Sequence, residues 1–518
     1  MRLRDRHPRP VIRRATAGVA AALCAATILL GAALHAQPAE RRGDAARDAF
    51  YWLNEQNKAS LIMLAEEKII TKELASKIAG ALRQVIADGA RPGAARSRDY
   101  LVVEADLIKI GGPDVSRLHS GRSRQDLGQT STRLLLRDGF LTTYGQFLDA
   151  RGRLLAMAEK HPHAVLPFYT HGVQAQPTTL GHYLGGYLQA MTRSSDRYKQ
   201  AWARLNLSPL GGAAGGTSSF PVNRTRLADL LGFDGILENS FDSGQIANQD
   251  NGVELSTVAA SGALTVSMLA ADLTVQYADP HPWFQLTEGE QTGVSSIMPQ
   301  KRNPTGLEQL HLTTSTVTGE AVTYLIQANN VMSGMGDYKG DQPLQVIRLL
   351  GRMYQDFDNL LSAFVFNPER ALQEVNNDYS MTTELADILQ RESEVPFRVG
   401  HHFASDIVTY GRSRKLKPAE IPYDVAQKLF TEAWRTFGRD NERLPLSEPQ
   451  FRRALSAENM VESAKPIGGP QRAEVTRMLT AQRTRLQADR DWLAAARARL
   501  DEATRQRDAG VTALLAGR

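Results

Sequence analysis

Leu255, Val258, Gly262, Val266, Leu269 and Leu273 recur at spacings of three and four, which is one apolar stripe along a helix of roughly five turns. A stripe that long must be covered by other helices. A second, carried by Leu134, Leu141, Tyr144 and Leu148, is expected on a helix that follows Asp126. From Asp44 onward few runs alternate in the β-branched pattern that strands require. The chain is therefore expected to be all-α, its long helices packed against one another. After Gly468-Gly469-Pro470, Leu479, Leu486, Leu493 and Leu500 repeat every seventh residue. They predict a coiled-coil-like terminal helix that either packs on its own domain or serves assembly. With 518 residues and 42% hydrophobic content, the chain can bury more than one core.

The N-terminus follows another pattern. Arg2, Arg4, Arg6, Arg9, Arg13 and Arg14 precede an uncharged, alanine-rich run from Ala15 to Leu34, the layout of a secretory signal. Residues 1–36 are read as that signal, with cleavage after Ala36, and the protein is expected to be exported, in bacterial terms periplasmic. Its contact with a membrane is then confined to this segment, although the run is long enough for an uncleaved anchor. The net charge is +5, from 61 basic and 56 acidic residues, and outside the N-terminus and the last helix the basic residues are scattered. No nucleic-acid partner follows from it. Cys24, the single cysteine, lies inside the apolar run, so a processed chain has no disulfide, cysteine metal site or thiol nucleophile.

Residues 293–304, Gly-Val-Ser-Ser-Ile-Met-Pro-Gln-Lys-Arg-Asn-Pro, are too rich in polar and turn residues for a core element. Asn303 as N-cap and Pro304 at N1 predict a helix start, so the loop offers backbone N–H groups and Lys301 beside a helix N-terminus. That is a device for handling anions. The glycine-rich stretch Pro209 to Pro221 lacks the Gly-Lys-Ser/Thr ending of a phosphate loop and is read as a mobile connection between helices. The pairs His161/His163 and His401/His402 lack the acidic or thiol company of a metal site and are read as surface or packing residues.

The 293–304 string resembles the signature of the fumarase/aspartase superfamily, Ser-Ser-x-Met-Pro-x-Lys-x-Asn-Pro, and Gln300 resembles the form found in argininosuccinate lyases. Leu118-His119-Ser120-Gly121-Arg122-Ser123-Arg124-Gln125-Asp126 is similar to the argininosuccinate lyase stretch Leu-His-Thr-Gly-Arg-Ser-Arg-Asn-Asp. Residues 169–177, Tyr-Thr-His-Gly-Val-Gln-Ala-Gln-Pro, resemble its Tyr-Thr-His-Leu-Gln-x-Ala-Gln-Pro. This likeness implies a three-domain fold, here divided as 40–125, a central bundle 126–375 that forms a tetrameric core, and 376–518. It also implies a homotetramer whose active sites each combine segments of three subunits.

The activity implied is carbon–nitrogen bond cleavage that releases fumarate from an N-substituted aspartate. Abstraction of a weakly acidic C–H leaves a doubly charged aci-carboxylate, so the site must concentrate cations and hydrogen-bond donors. By the resemblance, Ser295 is the base, with Lys301 and Asn303 stabilising charge. His171 protonates the departing nitrogen and Glu308 orients it. Arg124 is expected to grip a substrate carboxylate, with Ser123, Gln125, Thr170 and Gln174 adding hydrogen bonds. No metal or organic cofactor is required.

The pattern also breaks. The family's Asp-x-His is Asp99-Tyr100-Leu101, its Asp-Arg-Asp-Phe element is absent from Asp242 to Asp250, and its Tyr-Asn-x-Asp-Leu-Gln-Glu-Asp gives way to Gly336-Asp337-Tyr338-Lys339-Gly340-Asp341-Gln342. These departures fall where the amine half of the substrate is met, so a non-arginine substrate such as an amino-polycarboxylate is the alternative to argininosuccinate. The Leu118–Arg124 stretch and the Gln300 form count against adenylosuccinate cleavage and fumarate hydration. A non-catalytic exported binding protein would not need Ser295, Lys301, Asn303, His171 and Glu308 together.

Overall fold

The structure, a computed structural model, describes residues 47–335 and 342–517; the signal read at residues 1–36 lies outside them. Three helices, α1 (Ala49–Glu66), α2 (Lys72–Gly89) and α3 (Tyr100–Gly111), open the chain. Thr71 and Asp99 cap α2 and α3 through their side chains, each supplying an acceptor to an otherwise orphaned N–H. With a 3₁₀ turn at Pro113–His119 they surround a first core that includes Leu61, Ile78, Leu82 and Leu107.

The central bundle is built on α4 (Arg124–Lys160), 37 residues long. A hairpin, β1 (Val165–Thr170) and β2 (Val173–Thr179), turns the chain into α5 (Leu180–Leu205). Short elements follow: β3 (Leu207–Ser208), α6 (Arg224–Leu230), β4 (Gly235–Ile236) and α7 (Ser240–Gln245). Then come α8 (Ala247–Tyr277), strands β5 (Phe284–Leu286), β6 (Gly293–Val294) and β7 (Arg302–Asn303), α9 (Thr305–Gln327) and α10 (Gln342–Ser362). Helices α4, α5, α8, α9 and α10 alternate in direction: Arg133, near the start of α4, donates to the carbonyls of Leu205 at the end of α5 and Ala247 at the start of α8. Both expected stripes are buried, Leu255 to Leu273 and Leu134 to Leu148 alike. Gly262 lies where a Cβ would come within 2.3 Å of the Tyr354 hydroxyl, so α8 and α10 approach closely only because that residue has no side chain.

Strand β8 (Phe364–Phe366) pairs with β5. The chain continues through α11 (Pro368–Asn377), α12 (Thr382–Ser393), α13 (Phe397–Arg414), α14 (Tyr423–Arg435), α15 (Glu448–Ala454) and α16 (Ala457–Ser463); α12 to α15 form a third core around Phe403, Ile407, Phe430 and Phe451, while α11 and α16 pack together with Val165 of β1. The last helix, α17 (Arg472–Leu515), spans 44 residues. Although expected within a C-terminal domain 376–518, it leaves that core and packs on α4, α5, α1 and α2. Its heptad leucines face its own chain: Leu486 and Leu493 meet Gly152 and Gly145 of α4, themselves seven residues apart. The regular spacing is thus an antiparallel seam within the protomer.

Buried polar groups lock this seam. Asp489, fully buried, accepts from Arg151 Nη1 at 2.8 Å, Ser195 Oγ at 2.8 Å and Lys199 Nζ at 2.6 Å. Burial pushes its carboxyl up, but hydrogen bonds from Lys199, Ser195 and Arg151 outweigh that and hold it below the ordinary value. A group depressed on folding contributes stability above its unfolded pKa of about 3.9 and loses it as pH falls through the folded value. Asp489→Ala, which strands the buried Arg151 cation, is expected to cost about 3–5 kcal/mol by denaturant unfolding at neutral pH. The stability gap between wild type and Asp489→Asn should hold from neutral pH to about pH 4 and narrow below it.

Candidate functional site

The first expected segment sits at the N-terminus of α4. Ser123 is its N-cap and, with Asp126, forms a capping box, which fixes the first turn and sets Arg124 outward. Arg124 is exposed. Gln125 turns sideways, its Nε2 donating to the Gly244 carbonyl at 2.6 Å and lying 3.4 Å from Gln245 Oε1. Asp126, which the sequence reading used only to mark a helix start, is buried and supports the whole corner. Its Oδ1 accepts from Ser123 N, and its Oδ2 accepts from Gly211 N and Ala213 N, both at 3.0 Å. Burial raises its carboxyl despite those donors. The stretch read as a mobile connection is therefore pinned over Gly211–Ala213 and exposed only beyond. Arg122, also passed over, stacks on the Tyr100 ring and donates to Asn57 and Ser60, tying α1 to this corner. The Ser-x-x-Asp spacing was a legible signal for Asp126; nothing local announces Arg122.

The second segment is strand, not helix. Thr170 pairs with Val173, and His171-Gly172 is the two-residue turn between them, both with positive φ at 54° and 73°. Those are the dihedrals of a type I′ hairpin turn, which holds His171 exposed at a rigid tip. The hairpin is anchored behind it: Gln174 Nε2 donates to Ser380 Oγ at 2.7 Å, and Tyr169 OH donates to Glu374. Gln174 thus supports the hairpin rather than extending to the tip.

The third segment is a second hairpin. Gly293-Val294 pairs with Arg302-Asn303, so Asn303 is a ladder residue and Pro304, without a side-chain hydrogen bond, stands at the N-cap of α9. The expected Asn303 cap is one residue early, because cross-strand pairing takes Asn303 first. Between the strands, Ser295 Oγ accepts from Met298 N at 3.1 Å and Ile297 N at 3.4 Å. Lys301 is exposed, Glu308 projects from the first turn of α9, and Arg302 braces the loop on Glu288 and the Pro299 carbonyl.

These segments do not converge within one chain. Arg124 begins α4 and the His171 hairpin follows its end, which places them roughly 55 Å apart along a helix of 37 residues. Strands of six and seven residues fold back at most roughly 24 Å, and the hairpin packs on α11, α16 and α5. The Ser295 loop joins α8 to α9 at the hairpin's end of the bundle. Beside His171 lies a cavity of about 710 Å³, lined by Tyr183, Asp272, Trp283 and Met478 among others, that no residue of the Ser295 loop lines. The 336–341 segment, where the sequence departs from the family pattern, lies outside the described residues.

An all-helical bundle that carries the Ser-Ser-x-Met-Pro-x-Lys-x-Asn-Pro loop at one end defines a lyase of the fumarase/aspartase type. A family model described as lyase matches residues 43–319, and one described as argininosuccinate lyase C-terminal matches residues 379–462. The argininosuccinate lyase of Methanococcus maripaludis is 32% identical over 446 residues, 84% of this chain and 89% of that one. That of Methanosarcina barkeri is 31% identical over 84% and 87%. A crystal structure of EDDS lyase in complex with formate superposes with TM-score 0.81 at 29% identity, covering 90% of this chain and 92% of the other. The chain belongs to the argininosuccinate lyase branch of the fumarase/aspartase superfamily and is a carbon–nitrogen lyase.

Asp126→Ala should leave the global fold standing while freeing three backbone N–H groups. Amide exchange at Gly211 and Ala213 is expected to accelerate at least about tenfold relative to amides of α8, since each unsatisfied buried donor costs about 1–3 kcal/mol.

Proposed function

We propose that the protein eliminates fumarate from an N-substituted aspartate, with Ser295 as base and His171 as acid. The observation that carries this reading is the pair of backbone N–H groups on Ser295 Oγ, from Met298 and Ile297. A serine hydroxyl is a weak base, and donors aimed at its oxygen favour the alkoxide that can take a carbon-bound proton. Lys301, on the same loop, supplies a cation for that alkoxide and for the aci-carboxylate. As the C–H proton leaves, its electron pair forms the carbon–carbon double bond, the C–N bond breaks, and the nitrogen takes a proton from His171. Asn303 and Glu308 assist, as donor and as the carboxylate that orients the imidazole. Arg124, exposed and with no partner among the described residues, holds a substrate carboxylate beside Ser123, Gln125 and Thr170.

Arg124 and His171 belong to opposite ends of the bundle, so such a site needs more than one chain, and a homotetramer with shared sites is part of the proposal. Its support is an exposed apolar face. Leu264, Met268 and Val275 of α8 lie beside Leu312, Val322 and Ile326 of α9, all at least 47% exposed, and the Thr274–His311 hydrogen bond joins the two helices. By length and composition α8 could cross a membrane, but its other face is buried against α5, α9 and α10. A face of this size calls for a protein partner.

The amine released is proposed to differ from arginine. Leu101, where the family pattern has His, is exposed, and Gln125 is tied to the α7 backbone. Export through residues 1–36 belongs to the same reading, since scavenging N-substituted aspartates outside the cell needs no cytoplasmic intermediate. If the expressed full chain kept its N-terminus and stayed in the cytoplasm, export would be refuted.

Fumarate release, followed by its ultraviolet absorbance, is expected from at least one of a panel of N-substituted aspartates that includes argininosuccinate. Ser295→Ala and His171→Asn should each lower kcat roughly 10²–10⁴-fold. Asn is chosen because it tolerates the left-handed conformation at position 171. Unchanged turnover in Ser295→Ala would remove the base assignment.

A further inference from the structure

We propose that the amine half of the substrate carries an apolar, preferably aromatic, group, and that the surface around Gln125 receives it. The proposal rests on the elimination reading above and adds the substrate class. Five large apolar side chains stand exposed at this end of the bundle: Phe220 at 46%, Phe241 at 49%, Ile246 at 48%, Met332 at 71% and Met335 at 47%.

Packing places them around one point. A Cβ on Gly121, three residues before Arg124, would lie 3.5 Å from Phe220 Cβ. Phe241 sits against Gly215, with Ser240 Oγ donating to the Gly215 carbonyl at 2.9 Å. Ile246 follows Gln245, whose Nε2 donates to the Ala214 carbonyl at 3.0 Å. A Cβ on Gly334 would lie 3.5 Å from Gln245 Oε1, so Gly334 brings Met335 to the same spot, in a turn closed by Met335 N on the Met332 carbonyl. Gln125, hydrogen-bonded to Gly244 and beside Gln245, stands between these side chains and Arg124.

A guanidinium or ammonium would need a facing carboxylate. Among the described residues, Asp126 is buried under the Gly211 and Ala213 amides, Asp242 is half-buried beside Phe241, and Asp250 is exposed two turns further on. What dominates the corner is exposed aromatic and thioether surface next to Arg124, which has no partner among the described residues. That pairing suits a molecule with a carboxylate at one end and an apolar body at the other. Two methionines, unbranched and adaptable, suit apolar bodies of differing shape.

The test compares N-benzylaspartate, N-carboxymethylaspartate and argininosuccinate as substrates of the full-length oligomer. The enzyme is expected to favour N-benzylaspartate in kcat/KM by at least about tenfold. Phe241→Ser and Met335→Gln should each reduce that preference about tenfold, mainly through KM, with the elution volume on size exclusion unchanged. Preference for argininosuccinate or N-carboxymethylaspartate would overturn the apolar subsite and leave the elimination standing. Fumarate from none of the three would overturn both. Variants that alter oligomeric state while keeping the substrate preference would assign the patch to an interface between copies.

Discussion

A helix of 37 residues that buries arginines along its length can sit in a bundle in very few ways. Arg133, Arg137 and Arg151 of α4 are all nearly or fully buried, and each must meet acceptors or carry the full cost of a desolvated cation. Arg133 meets the carbonyls that end α5, where the helix dipole is negative, together with the start of α8. Arg137 reaches Asn206 and the Leu231 carbonyl and stacks on Phe233. Arg151 finds Asp489 and Gln482 on α17. Burial lowers Arg133 to about 10, which still leaves it charged at neutral pH. Apolar side chains at these points could pack as tightly, yet they would allow a neighbouring helix to slide by a turn. The guanidinium groups set register, and every loop at either end of the bundle inherits its position from that register.

How much of this the sequence disclosed depends on the range of the interactions involved. Periodicity is local, so the stripes on α4 and α8 and the heptad on α17 were legible residue by residue. What the heptad packs against was not, because Gly145 and Gly152 lie more than three hundred residues upstream. The His171 hairpin was hidden for a different reason. Pro167 and Pro177 argue against strands, and His-Gly is a weaker turn signal than Asn-Gly, so only pairing across the turn reveals it. Asn303 reads as a helix cap until the strand at Gly293 claims it. The residues proposed for chemistry were recognisable through the three motifs, whereas the groups that hold them, Arg122 and Gln245 among them, depend on partners scattered through the chain.

The candidate site also divides labour between regular and irregular backbone. Every residue assigned a chemical role lies on a tight turn, a short hairpin or the first turn of a helix, where N–H groups are not consumed by the helical ladder. Such segments are free to aim donors at Ser295, and tight enough to hold their shape because buried side chains fasten them from behind. Asp126 does this under the Gly211 loop and Ser380 under the His171 hairpin, while the Ser295 loop is braced at the surface by the Arg302–Glu288 pair.

Helix α17 joins two cores that are otherwise formed by earlier parts of the chain. It supplies Asp489 to the bundle and Arg507, which pairs with the buried Glu55 of α1, to the N-terminal core. A chain emerging from the ribosome makes this helix after everything it must lock. Without it, Arg151 lacks its counter-charge, Glu55 keeps only Lys58, and the groove over Gly145 and Gly152 lies open. One helix is thus a clasp common to both cores, so a change that loosens α17 is felt at Arg151 in the bundle and at Glu55 near the N-terminus together.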